Sequence, residues 1–286
     1  MEEPLVSVVV PSYNRATTVQ RALISVSGQD YPNLEIVFVD DGSSDGTEAL
    51  VKRLNIPNLK YIRHKVNRGA NAARNSGIRA AAGEFVAFQD SDDTWKTGKL
   101  TRQMLALQTH EASIGFCAFE RNQNGNYQRI PKASYRIKPG LDNRYEEVIQ
   151  GSFISTQTLI ARKRVLLEVG LFDEALPRLQ DWELCLRLAK RHPIVYLEEA
   201  LVQAEMSRDS ISRNVPKLVK AADVILEKHA EDFKARPVAA AMLCTNVSIE
   251  ALRRGHLPAF MRFFSRAIGH GGLRYPVALQ TLWLRR

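Results

Sequence analysis

Two short acidic stretches hold the residue types best suited to chemistry, Val39-Asp40-Asp41-Gly42-Ser43 and Gln89-Asp90-Ser91-Asp92-Asp93. Each follows an apolar run that reads as a buried strand, Leu34 to Val39 and Glu84 to Phe88, and each precedes a segment that reads as a helix. The carboxylates therefore fall where strands end, the edge at which open α/β sheets bind ligands. Crowded carboxylates repel one another and repel an anionic substrate, and a divalent cation removes both problems. In an extended segment Asp-x-Asp places two carboxylates on one side, because side chains alternate. Asp90 and Asp92 are therefore expected to offer oxygens to Mg²⁺ or Mn²⁺, which in turn holds diphosphate oxygens. The competing reading is that these residues cap the helices that follow. Capping accounts well for either stretch alone, and less well for both, each at the end of a buried strand.

The elements that would position these residues follow from periodicity. Val6 to Val10 reads as a first buried strand, broken at Pro11-Ser12-Tyr13-Asn14. The helix after it carries Val19, Ala22, Leu23 and Val26 on one face. Asp45, three residues before Glu48, resembles a capping box, Leu59 to His64 reads as a third strand, and Gly69 to Ala82 reads as a helix. This β-α-β-α order predicts a parallel sheet with right-handed crossovers. No Gly-x-Gly-x-x-Gly follows the first strand, which disfavours the usual dinucleotide fold. The alternation ends near residue 112. Beyond it Ile114 to Phe119, Phe153 to Ile160, Ile194 to Leu197 and Leu201 to Ala204 read as strands, and Asn124-Gly125 as a hairpin turn. A short helix ends at Gly170, Asp181 to Arg191 reads as an amphipathic helix, and the chain reads as helical from Val215 onward.

Composition bounds the partners. The chain has 286 residues, 45% of them hydrophobic and 25% charged, enough for one large core plus a tail. The net charge of +9 favours an anionic partner such as a nucleotide, a nucleic acid or a membrane surface. Three well-separated cysteines, Cys117, Cys185 and Cys244, fit a reducing compartment and core thiols. The start of the chain lacks the features of a signal peptide, and no stretch is long and apolar enough for a membrane span. A cytoplasmic protein is expected, with contact at the inner face of the membrane left open.

Four linked motifs resemble a known family. Ser7-Val8-Val9-Val10-Pro11-Ser12-Tyr13-Asn14-Arg15 is followed by Val39 to Thr47. Then come Asn67-Arg68-Gly69 with Ala72-Ala73-Arg74-Asn75, and Gly83-Glu84-Phe85 leading to Asp90-Ser91-Asp92-Asp93. In order and spacing they are similar to the family 2 glycosyltransferases with a GT-A fold, over roughly residues 5 to 110. A weaker match continues through Gly170-Leu171-Phe172-Asp173-Glu174 and Gln180-Asp181-Trp182-Glu183-Leu184 to Ser210-Ile211-Ser212.

The resemblance implies a Rossmann-like, mainly parallel sheet flanked by helices. A catalytic domain would span 1–213, with a nucleotide-sugar half at 1–112 and an acceptor half at 113–213, and a helical region would follow at 214–286. It implies that Pro11 and Tyr13 line a nucleobase pocket and that Asp41, with Asp40, binds base or ribose. Arg74 would approach the nucleotide, Asp90 would hold ribose or metal, Ser91 would lie against the donor, and Asp92 would ligate the metal. Asp181 matches the family's general base, although Gln180 stands where the family usually has Glu. The implied activity is inverting, metal-dependent transfer from a nucleotide-sugar, a UDP-sugar above others. The implied acceptor is a glycan or lipid-linked glycan in surface polysaccharide synthesis.

The residues fit that chemistry on their own terms. A sugar diphosphate departs when its developing charge is neutralised, which a bound cation does. An acceptor hydroxyl attacks when a carboxylate takes its proton. Other readings stand beside these. Tyr13 could be half-buried packing, Asp181 a helix cap, Arg68 and Arg74 solvated charges, Trp95 a core group or a sugar platform, and Ser210 and Ser212 turn residues or phosphate contacts. A nucleotidyltransferase would need a basic loop after the first strand, where Arg15 stands alone. A noncatalytic nucleotide-sugar or glycan binder would not need Asp90, Asp92 and Asp181. No motif supports nucleic-acid binding. Residues 251–286 contain seven arginines among large apolar residues and no Asp or Glu. That pattern suits either a helical cap packed on its domain or a helix in a membrane interface.

Overall fold

The computed structural model describes residues 3–123, 125–132, 137–205 and 214–271. These fall into two compact units. The first takes the described residues within Met1–Arg144, Ile154–Glu174 and Arg187–Ser207, and the second those within Tyr145–Phe153, Ala175–Leu186 and Arg208–Arg286.

The first unit is built on a single sheet. Its strands are β1 (Val6–Ser12), β2 (Leu34–Asp40), β3 (Leu59–Arg63), β4 (Phe85–Phe88), β5 (Thr94–Trp95), β6 (Ile114–Gln123), β7 (Asn126–Ile130), β8 (Gly140–Asp142), β9 (Leu159–Arg162) and β10 (Ile194–Glu205). The sheet order is β3-β2-β1-β4-β9-β6-β10-β5, with β7 beside β6 and β8 beside β10. β1 to β4 run parallel, in a register that sets Ser12 against Asp40 and Asp40 against Arg63. β9 is antiparallel to both β4 and β6, and β10 returns parallel to β6. Helices α1 (Val19–Ser27), α2 (Thr47–Arg53), α3 (Ala70–Ala80) and α4 (Lys99–Thr109) connect the early strands. The apolar face read for α1 is the buried one, Val19, Ala22, Leu23 and Val26, and it joins Val8, Val10, Phe38 and Leu100 in the core. Helix α6 (Lys163–Glu168) follows β9.

The second unit holds α5 (Tyr145–Gln150), α8 (Val215–Lys228), α9 (Ala230–Ala235), α10 (Pro237–Arg253) and α11 (Leu257–Gly269), with α8, α9, α5 and α11 each packed on α10. Helix α7 (Gln180–Arg191) starts in the second unit and ends in the first. Trp182 Nε1 donates to the Val148 carbonyl at 2.6 Å, which fixes its first turn against α5.

Several local expectations change. Phe153 to Ile160 is not one strand. The Thr158 hydroxyl and amide both donate to the Ser155 carbonyl, closing a 3-10 turn over Thr156–Thr158, and β9 begins at Leu159. The two short strands expected over 194–204 are one, β10, whose register on β6 shifts between Leu197 and Val202. The capping box at Asp45 does not form. Asp45 accepts from the Ala16 and Thr47 amides, and Glu48 pairs with Lys52 and Arg63. β6 and β7 pair antiparallel around the expected turn, whose Asn124 lies outside the described residues, as do Ser210 and Ser212. All three cysteines are buried, and none is in a disulfide.

Lys99 is wholly buried at the start of α4. Its Nζ donates to Gln103 Oε1 at 2.6 Å and lies 3.7 Å from the centre of the Trp95 ring. Trp95 is thus a core group, with no face left for a sugar. Burial pushes the Lys99 ammonium down to about 8. A lowered lysine binds fewer protons when folded than when unfolded between that value and the ordinary one, so its contribution to stability rises with pH across this window. Comparison with Lys99→Met cancels the other titrating groups. The wild type should gain roughly 2 kcal/mol relative to the variant between pH 7 and 9.5, from the size of the shift. Urea unfolding of both proteins at the two pH values measures it, and a pH-independent difference would refute it.

Candidate active site

Because β1 to β4 are parallel, the loops at their carboxyl ends share one edge of the sheet. Backbone bonds tie these loops into one surface. The Asp41 amide donates to the Ser12 carbonyl at 2.8 Å, the His64 amide to the Asp40 carbonyl at 2.8 Å, and the Gln89 amide to the Val9 carbonyl at 3.0 Å. Asn14 turns the chain after β1 with a φ of 51° and accepts from the Ser44 amide through Oδ1. Beside it Tyr13 stands 45% exposed, whereas Pro11 is buried in the end of β1.

Asp40 and Asp41 are buried, and both are engaged inside the protein. Asp40 accepts from the Ser43 amide at 2.8 Å and from the Tyr61 hydroxyl at 2.6 Å. Burial and that bond push the Tyr61 phenol well above its ordinary value. Asp41 holds the loop after β3. One oxygen accepts from His64 Nδ1 at 2.7 Å and the Arg68 amide at 2.9 Å, and the other from the Gly69 amide at 2.7 Å. The Ser76 hydroxyl lies 2.9 Å from His64 Nε2, so the pattern fits Nδ1–H donating to Asp41 and Ser76 donating to Nε2. Gly42 completes this contact: its φ is +80°, and a Cβ there would lie 2.9 Å from the Val66 carbonyl carbon.

Arg74, on α3, is buried, and its Nη2 donates to Asp90 Oδ1 at 2.7 Å. Its Nε and Nη1 have no hydrogen-bond partner among the described residues. Its guanidinium lies 5.6 Å from the Phe172 ring centre. On the same helix Asn75 exchanges hydrogen bonds with the Phe172 backbone at 2.9 and 3.0 Å, and Asn71 donates to the Asp173 carbonyl at 2.8 Å. The Asn75 and Phe172 motifs are thus two sides of one contact.

The Asp90 to Asp93 stretch is a turn, not an extended segment. The Asp93 amide donates to the Asp90 carbonyl at 3.2 Å, so alternation does not govern which way Asp90 and Asp92 point. Ser91 is buried in this turn. The carboxylates nevertheless crowd one another. Burial first, and Asp90 second, raise Asp92 above the ordinary carboxylate range, against a downward pull from Arg15 and Arg21. Burial, Asp90 and Asp92 raise Asp93 well above it, although Asp93 accepts from the Glu205 amide at 2.9 Å. Arg21 Nη2 also donates to the Asp92 carbonyl at 2.8 Å. No motif or local pattern marked Arg21 or His64 as parts of this surface. Among the described residues no three of His, Cys, Asp and Glu close on a common point as a complete metal cage. The carboxylate crowding still fits a divalent cation that takes its other ligands from water and diphosphate oxygens. A cleft of about 500 Å³ lies against α1, lined by Thr17, Gln20, Arg21, Ile24, Ser25 and Thr94, and shares Arg21 with this surface.

Asp181 belongs to the second unit, in the first turn of α7, partly exposed, and its Oδ1 accepts from the Trp182 amide at 2.8 Å. Two residues on, Glu183 is buried, with Lys228 Nζ at 2.9 Å and His229 Nε2 at 3.3 Å.

The sequence profile described as "Glycosyl transferase family 2" matches residues 7–170. An Escherichia coli protein, the UDP-Glc:alpha-D-GlcNAc-diphosphoundecaprenol beta-1,3-glucosyltransferase WfgD, is 28% identical over 238 residues, which cover 82% of this chain and 90% of that one. Two solved structures share the fold. The Staphylococcus aureus protein TarS in complex with UDP-GlcNAc superimposes with a TM-score of 0.67 at 20% identity, covering 91% of this chain and 90% of that one. The mannosyltransferase PcManGT from Pyrobaculum calidifontis, in complex with GDP-Man and Mn²⁺, does so with a TM-score of 0.64 at 19% identity, covering 98% of this chain and 81% of that one.

Proposed function

The chain belongs to glycosyl transferase family 2, and from that membership we propose that it moves a sugar, with inversion, from a UDP-sugar to a lipid-linked glycan in surface polysaccharide synthesis. The observation that carries the reading is the pairing of Arg74 with Asp90 beside the crowded Asp92 and Asp93 at the sheet edge. A buried guanidinium with unused donors suits an anionic ligand, and crowded carboxylates suit a cation. A nucleotide diphosphate chelating a divalent metal is both together. The names of the relatives support the substrates: the Escherichia coli relative is named for UDP-Glc and a diphosphoundecaprenol acceptor, and PcManGT was solved with GDP-Man and Mn²⁺.

In this reading Tyr13 packs on the base at the end of β1, above Pro11. Asp40 and Asp41 shape that pocket by fixing the loops after β2 and β3. Ser91 lines the donor side of the turn. Asp92 and Asp90 would hold Mn²⁺ or Mg²⁺, which when bound supplies Lewis-acid charge to the departing diphosphate. Arg74 orients Asp90 through their 2.7 Å hydrogen bond. Asp181 takes the proton of the acceptor hydroxyl as that oxygen attacks the anomeric carbon from the face opposite the leaving group, a role typically worth about 10²–10⁴-fold. We place the reaction on the cytoplasmic side, and among the described residues no helix is long and apolar enough to cross a membrane.

A donor panel tests the proposal. UDP-, GDP- and dTDP-sugars are incubated with the protein and a sugar-diphosphate-polyprenol acceptor, with Mn²⁺, Mg²⁺ or EDTA, and nucleotide release and product anomer are read. Metal-dependent UDP release with an inverted product is the expected result. Full activity in EDTA, or release from GDP-sugars alone, would overturn the metal or the donor assignment respectively.

A further inference from the structure

The first turn of α7 carries a buried charge beside an anchor that is already apolar. Trp182 is buried, its ring lies 6.5 Å from that of Phe233 on α9, and its Nε1 donates to the Val148 carbonyl. The next residue, Glu183, is fully buried as well, with Lys228 Nζ at 2.9 Å and His229 Nε2 at 3.3 Å from its Oε1. Lys228 ends α8, and His229 joins α8 to α9. His229 Nδ1 lies 3.8 Å from the Asp232 carboxylate, which accepts from the Tyr145 hydroxyl of α5.

An ion pair taken out of water adds little stability over apolar residues of the same volume, and its best-attested use is to fix register. Apolar packing tolerates a small rotation of a helix about its axis. A carboxylate held by two N–H donors on other helices does not. The chain enters α7 through Leu179, whose φ is 58°, and the Glu183 amide closes the turn on the Leu179 carbonyl at 2.9 Å. Asp181 and Glu183 are two residues apart, about 200° around the helix. Glu183 is therefore buried on one side while Asp181 is partly exposed on the other. A rotation of about 10° carries a carboxylate about 5 Å from the helix axis through about 1 Å. A misplacement of that size can cost on the order of 10²-fold in rate.

We propose that Glu183 is a positioning residue: held by Lys228 and His229, it fixes the rotation of α7 at which Asp181 is presented to the acceptor. That role rests on Asp181 acting as the base, as proposed above, whereas the anchoring is read from the helix alone.

Two variants of the full chain test it, Glu183→Gln and the apolar swap Glu183→Met/Lys228→Met, each assayed well below its melting temperature. The swap should be as stable as the wild type or more so. Both should nevertheless lose about tenfold or more in kcat, with KM for the UDP-sugar unchanged. A residue that served stability alone would leave kcat intact in a stable swap. In the Asp181→Asn background, Glu183→Gln should slow turnover no further, because its effect passes through Asp181. Nitroxide labels at Asp181→Cys and at the exposed Leu252→Cys, both in the second unit, read the anchor without substrate. One narrow distance distribution is expected with Glu183 and Lys228 present, and a shifted or broadened one in the swap. Three outcomes overturn the proposal: full turnover in the swap, an equal loss from Glu183→Gln with and without Asp181, or a label distribution that the swap leaves unchanged. A wild type without transfer, or Asp181→Asn with full turnover, counts against the proposed function alone, and the label distances then decide the anchoring.

Discussion

Asp92→Ala should abolish sugar transfer and metal-assisted UDP binding while leaving the protein as stable as before or more so. The two halves of that expectation come from one site. As a ligand, the Asp92 carboxylate would be irreplaceable by alanine, and loss of the cation leaves a diphosphate leaving group without charge neutralisation. As a folded-state group, the same carboxylate is unfavourable. Burial and Asp90 raise it above the ordinary range. A carboxylate raised in the folded state binds its proton more readily there, so stability falls as pH rises through its titration, and at neutral pH its charge is a net cost. Removing it lifts that cost and also relieves Asp93, which Asp92 raises. Activity assays with Mn²⁺ titration and thermal melts at pH 7 measure both. Near-normal transfer by the variant would remove Asp92 from the metal site. A large drop in melting temperature would instead make Asp92 a structural residue.

Asp181→Asn should keep donor binding and lower turnover by about two orders of magnitude or more, the loss that follows removal of a general base. The substitution separates base from cap because asparagine caps a helix nearly as well as aspartate. The amide oxygen of the new side chain could still accept the 2.8 Å bond that the Trp182 amide now gives Asp181. The first turn of α7 has other anchors in Trp182 and in the buried Glu183, which meets Lys228 and His229. The fold should therefore register the change weakly. Single-turnover rates and UDP affinity, measured on both proteins, decide it. Unchanged turnover with a shifted melting temperature would leave Asp181 a cap.

The part of the fold that carries the acidic motifs was the most legible. β1, β2 and β4 are short, largely apolar runs split by helices with a clear buried face, so local pattern and tertiary structure agree there, and the loop edge they share with the more polar β3 follows from parallel pairing. Legibility failed where a local bond or a distant partner decides. The Ser155 carbonyl turned an apolar run into a 3-10 turn, and β10 absorbs Glu198 and Glu199 in a register shift that polarity alone reads as a break. Within the site, local pattern grouped the acidic residues but not their partners. Asp41 meets His64, and Asn75 meets Phe172 across 97 positions of chain, and no local periodicity encodes such pairs. The antiparallel insertion of β9 between β4 and β6 is equally non-local.

The three hydrogen bonds on the Asp41 carboxylate have a consequence for recognition. They hold the loop after β3 in place before any ligand arrives, so a nucleotide bound on that side, as proposed, would spend little of its affinity on ordering the loop. Discrimination there would then rest on shape rather than on adjustment. The same rigidity means that a change at His64 or Ser76, which need not touch any ligand, would return that freedom to the loop and surface as a weaker, more temperature-sensitive affinity.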